Sequence, residues 1–122
     1  MNLRRGAVAS KIIPFPSTAE RALDAQLRFA IANTRLLRVT YDGATRIVEP
    51  HDYGVRNGKA KLLVFQRDKA GRQTDSARGW RTLDLSKIRH CVVLEETFAG
   101  SRQADQQHLD WDLLYARVDP TL

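Results

Sequence analysis

Leu37-Arg38-Val39-Thr40-Tyr41-Asp42-Gly43-Ala44-Thr45-Arg46-Ile47-Val48-Glu49-Pro50 is the stretch on which the fold turns. Leu37, Val39 and Tyr41 alternate with Arg38 and Thr40, a period of two that buries one face of a strand and wets the other. Asp42-Gly43 supplies the two positive-φ residues of a tight hairpin turn. A second strand runs from Thr45 to Glu49. It is expected to stop at Pro50, which has no N–H to give a ladder.

Before this hairpin the period is helical. Ser17 and Glu20 stand three apart as a capping box, and Leu23, Leu27, Ala30 and Ile31 follow at helical spacing, predicting a helix over 18–34. Residues 1–16 have no hydrophobic period, and Pro14-Phe15-Pro16 blocks a helix, so they read as a tail. After the hairpin, Asn57-Gly58 marks another tight turn, and Leu62-Leu63-Val64-Phe65 is apolar on both faces, as a central strand should be. Asp68 to Gly79 reads as a loop, and Trp80–Leu85 and Ile88–Glu96 as two further strands kinked at Ser86-Lys87. Asp110–Val118 forms a short helix or strand within a C-terminal extension, 101–122, that packs back on the body. One N-terminal helix and five to six short strands make a mainly β chain, and a small barrel over 17–100 removes the exposed strand edges.

The 122 residues allow a single core. The net charge of +6 favours polyanionic partners. Its distribution is uneven: residues 1–35 and 36–100 are each net +4, whereas 101–122 are net −2. No stretch reaches the roughly 18 to 20 apolar residues of a membrane span. Met1-Asn2-Leu3-Arg4-Arg5 starts like a signal peptide, but Lys11 and the prolines at 14 and 16 cut the apolar run short. With Cys91 as the lone cysteine, packed in an apolar run, the chain reads as cytoplasmic.

Enzyme signatures do not emerge. Gly54, Gly58 and Gly71 are isolated turn residues without a phosphate-loop pattern. His51, His90 and His108 lack metal-ligand spacing, and neighbouring His90 and Cys91 on a strand point to opposite faces. The expectation is a non-catalytic chain without cofactor.

Tyr41, Arg46, Val48-Glu49-Pro50, Gly58-Lys59-Ala60-Lys61-Leu62-Leu63, the Arg81-to-Ile88 segment and Phe98 follow one another in the order and spacing of a WYL domain, which this half of the chain resembles. The blocks Glu49 to Gly54 and Gly79-Trp80-Arg81 are similar to those of small stand-alone members. Where the family has Trp-Tyr-Leu, this chain has Ala60-Lys61-Leu62, which removes a stacking surface and adds a charge. The resemblance implies a barrel of SH3/Sm type with a basic groove that senses ligands, single-stranded nucleic acid or a nucleotide among them. It does not imply a complete regulator, since no winged helix precedes the barrel.

The expected ligand-binding residues are Tyr41, Arg46, His51, Lys61, Trp80 and Arg81. Arg46 points opposite to Ile47 and is expected to be exposed or to line the groove. Arg81 shares a face with Leu83 and Leu85 and either clamps a phosphate or carboxylate or pairs internally with Glu49. Trp80 stacks on a base or covers the tail or the 101–122 segment. Tyr41 ends a core row with its hydroxyl at the rim. His51 sits in a turn, where it hydrogen-bonds a ligand or caps the backbone, and the Lys61 ammonium emerges at a barrel end. The alternative is a protein-interaction or dimerisation module acting as an accessory subunit, its charges serving solubility alone.

Overall fold

The structure is a computed structural model in which residues 17–69, 77–102 and 109–120 are described; the expected tail, most of the expected 68–79 loop, and His108 lie outside them. Ser17 begins α1 (Thr18–Ala32) with the expected capping box: its hydroxyl accepts from Glu20 N–H at 3.0 Å and Glu20 Oε1 accepts from Ser17 N–H at 2.8 Å. Leu27, Ala30 and Ile31 are the buried stripe. Asn33 caps the helix after Ala32, two residues short of the expected end.

The strands are β1 (Arg35–Tyr41), β2 (Ala44–Arg56), β3 (Lys59–Lys69), β4 (Gly79–Asp84), β5 (Arg89–Thr97) and β6 (Leu113–Arg117), with a short 3-10 turn at Leu85–Lys87. They form one six-stranded antiparallel sheet in the order β4-β3-β2-β1-β5, with β6 paired to β2. Among the described residues this sheet is open, since no ladder joins β4 to β5. Both two-residue turns form where the sequence places them, with positive φ at Asp42, Gly43, Asn57 and Gly58.

β2 does not stop at Pro50 but runs on to Arg56. Pro50 pairs with Val64 and Asp52 with Leu63, so His51 is an extra residue, a bulge beside the proline. A bulge is where a central strand tolerates a missing N–H. The length gained lets β2 serve two neighbours on one edge: β1 along its first half and β6 along its second.

Cross-strand partners share a face. Leu37, Val39 and Tyr41 of β1, Val48 and Tyr53 of β2, Leu62 and Val64 of β3 and Leu83 of β4 face α1, and together they form the core. On the opposite face, Glu49, Phe65 and Trp80 form one row across β2, β3 and β4. The C-terminal segment lies against this face. Arg102 donates to both Glu49 oxygens at 2.7 and 3.0 Å, with its guanidinium over the Phe65 ring at 3.8 Å. Arg117 donates to both Asp52 oxygens at 2.9 and 3.0 Å, and Trp111 Nε1 to the same carboxylate at 3.3 Å.

No described helix is long and apolar enough to cross a membrane.

Candidate ligand-binding cleft

The register divides the six expected site residues between the two faces of the sheet. Arg46 pairs with Val39 across the β1–β2 ladder and therefore faces the core, where it is buried. Its terminal nitrogens donate to Gln66 Oε1 and to the Tyr41 carbonyl, both at 3.1 Å, and its guanidinium lies over the Tyr41 ring at 5.2 Å. The expected exposed or groove-lining position is thus corrected: Arg46 does point opposite to Ile47, but that direction is inward. Arg81 pairs with Val64 on the same face, as its alternation with Leu83 implied, and donates to the Trp80 carbonyl at 2.9 Å. Glu49, the proposed internal partner, is gripped by Arg102, with Arg67 at 3.9 Å.

Lys61 and Trp80 belong to the other face. Lys61 is ion-paired with Asp84, its partner across the β3–β4 ladder. Trp80 meets His51 edge-on at 4.8 Å and Phe65 at 5.6 Å. His51 is fully buried in the bulge rather than placed in a turn, stacked on Phe98 at 5.4 Å, with its Nδ1 3.0 Å from the Glu49 carbonyl. That contact makes Nδ1 the protonated nitrogen and leaves Nε2 a buried acceptor with no partner. Burial holds the imidazole below its usual pKa, hence neutral. Tyr41 is buried, and its hydroxyl accepts the Asp84 backbone N–H at 2.9 Å. The structure therefore brings together Tyr41 with Arg46, and His51 with Trp80, but does not bring Arg46, Lys61, Trp80 and Arg81 into one groove.

A concavity lies elsewhere. A cleft of about 690 Å³ opens between the first turns of α1, the β2–β3 hairpin, the 3-10 turn and β6. Leu23, Tyr53, Leu85 and Tyr115 supply its apolar walls. Tyr53 and Tyr115 meet edge-on at 5.0 Å, and the Arg28 guanidinium lies 5.7 Å from the first ring and 5.1 Å from the second. Asp24 ties this wall together, accepting from the Tyr53 hydroxyl at 2.7 Å and from Arg28 Nε at 3.0 and 3.1 Å. Burial and the Asp24 contact push the Tyr53 hydroxyl well above its usual pKa, so it remains a donor.

At the opposite rim, Asp84 faces three ammonium groups. Lys61 bonds it, Lys87 stands at 3.9 Å, and Lys59 adds its field; the Lys61 hydrogen bond leads in holding the carboxyl below its ordinary range. Sequence reasoning missed this cleft because its lining comes from four separated segments. The signals available were Tyr53 inside the Glu49-to-Gly54 block and Lys59 beside the Asn57-Gly58 turn.

Cys91 is half-buried, and burial alone pushes its thiol up to about 11, so it is not a nucleophile near neutral pH. Among the described residues no three His, Cys, Asp or Glu side chains converge as metal ligands. No protein-family model, curated protein or solved structure matches the chain.

Proposed function

We propose that the chain is a non-catalytic, ligand-sensing module of WYL type, a relative of the small SH3/Sm-like barrels, that acts in the cytoplasm on a nucleotide or a short single-stranded nucleic acid. The observation that carries this reading is the cleft beside α1. Its volume falls in the range of small-molecule sites, about 300–1,000 Å³, and it pairs apolar walls with a few convergent polar groups, as such sites do. The excess of basic residues supports an anionic ligand.

The test is a fluorescence-anisotropy titration with a labelled mononucleotide and a labelled oligonucleotide at low salt. Saturable binding that weakens as salt rises is expected. Leu85→Trp, which fills the cleft, should weaken it at least tenfold. Absence of binding by either probe at millimolar protein would overturn the reading.

A second reading, dimerisation, is favoured by one feature of β6. Leu113, Leu114 and Tyr115 are 54%, 37% and 37% exposed in succession on a strand paired only with β2 among the described residues. An exposed apolar edge strand is a template for another chain. A second copy fits because antiparallel pairing about Leu114 sets Leu113 of one protomer against Tyr115 of its partner. Light scattering decides between them: a dimer that Leu113→Glu converts to monomer supports this reading, and a wild-type monomer ends it.

A further inference from the structure

The charged groups around the cleft are not equally occupied. Glu20 is used by the capping box, Asp24 by Tyr53 and Arg28, and Asp84 by Lys61 with Lys87 beside it. All three carboxylates of the lining thus have partners within the fold. Two cations of the lining are held more loosely: among the described residues neither Arg21 nor Lys59 makes a side-chain hydrogen bond or a close ion pair, and Lys59 acts on Asp84 only through its field. Lys59 is the third ammonium around a carboxylate that Lys61 already neutralises, so that rim holds a local excess of positive charge. A guanidinium and an ammonium without a bonded partner, bordering one cleft, offer a planar fork and a point charge to the same guest.

The apolar wall of the same cleft is already organised. Tyr115 is held by Arg28 both through its ring and through its carbonyl, which accepts from Arg28 Nη1 at 3.4 Å. A wall fixed before the ligand arrives loses little freedom on binding. Resting on the reading of the chain as a ligand-binding module, we infer that this cleft takes one small organic anion, a single phosphate or carboxylate carried on a flat ring. The anionic group lies between Arg21 and Lys59, and the ring lies against Tyr115 and Leu85. Of the two guests in that reading, this retains the single nucleotide-sized anion over the strand. The basic residues expected to track a strand are divided between the two sheet faces, and the cleft has room for one compact ligand.

The experiment is isothermal titration of the full chain with three probes: adenosine monophosphate, indole-3-carboxylate and inorganic phosphate. The two ring-bearing anions are expected to bind at least tenfold more tightly than phosphate. If only one of them does, the anionic group is identified as phosphate or as carboxylate. Arg21→Glu and Lys59→Glu alter exposed side chains, so thermal unfolding should remain as in the wild type while each lowers affinity at least tenfold. Tyr115→Ala should weaken the ring-bearing probes and leave phosphate unchanged.

Ring-bearing anions that bind equally well to both charge-reversal variants would overturn the site while leaving a binding module. Oligonucleotide binding without binding of either small anion would overturn the ligand class alone. Failure of every probe would remove both this inference and the function on which it rests.

Discussion

The guanidinium of Arg46 lies in the core, bonded to two neutral acceptors, the Gln66 amide and the Tyr41 carbonyl, while its Nε has no partner. Gln66 in turn donates to the Ala77 carbonyl, so Arg46 anchors the approach to β4 from beneath. Arg46→Met keeps the volume but orphans two buried acceptors, each worth about 1–3 kcal/mol. A loss of that order in urea unfolding is expected, with ligand affinity unchanged. A variant of native stability that no longer binds ligand would return Arg46 to the ligand site. Its inward direction was hidden because each parity of β2 offers one strong apolar residue, Ile47 on one and Val48 on the other. Only pairing with Leu37 and Val39 decides between them. His51 makes a second prediction. Its folded pKa is depressed by burial, so below the ordinary imidazole value of 6.5 the unfolded chain takes up a proton that the folded chain resists. Stability is therefore fully present above that value and declines as pH falls beneath it. Denaturant titrations between pH 7.5 and 5 should show this slope, and His51→Phe should flatten it; an unchanged slope would place the titration elsewhere.

At the scale of elements, the two hairpin turns, the capped helix and the doubly apolar β3 were legible because each rests on neighbours in sequence. The reach of β2 was not. In sequence a proline reads as a strand terminator, whereas a bulge one residue later restores the ladder. β6 is held on the far half of β2 by their antiparallel ladder, which brings the two backbones close at Gly54. A Cβ there would collide with the Leu113 carbonyl and sit 3.0 Å from the Trp111 ring. Gly54→Ala is accordingly expected to push β6 off the sheet edge at a cost of about 1–3 kcal/mol, as overpacking does. Hydrogen exchange gives the local readout: amides of Leu113–Arg117 should exchange faster while those of β1 keep their protection. Equal acceleration in both strands would mean that β6 is not a separate docking unit.

For the molecule as a whole, the two basic residues of an otherwise acidic C-terminal segment add side-chain anchors to its backbone ladder with β2. Arg102 and Arg117 reach back 53 and 65 residues to carboxylates that the sheet itself buries, Glu49 and Asp52. Separations of that size leave no trace in local pattern, so the sequence showed an extension packing on the body without showing what holds it. The attachment also alters how net charge is to be read. These arginines count toward the basic excess but are occupied within the fold, whereas among the described residues bordering the cleft Arg21 and Lys59 have no bonded carboxylate. Removing one member of a buried pair strands the other charge, at about 3–5 kcal/mol. Because Arg117 is itself 45% exposed and Trp111 still donates to Asp52, Arg117→Met should fall below that range, at about 1–3 kcal/mol. If the segment docks as one body, Arg102→Met loses part of its effect once Arg117 has gone, since a detached segment no longer delivers Arg102 to Glu49. A double-mutant cycle by urea unfolding should then give a combined loss smaller than the two single losses added together. Strict additivity would show two independent anchors, each holding its own stretch of chain.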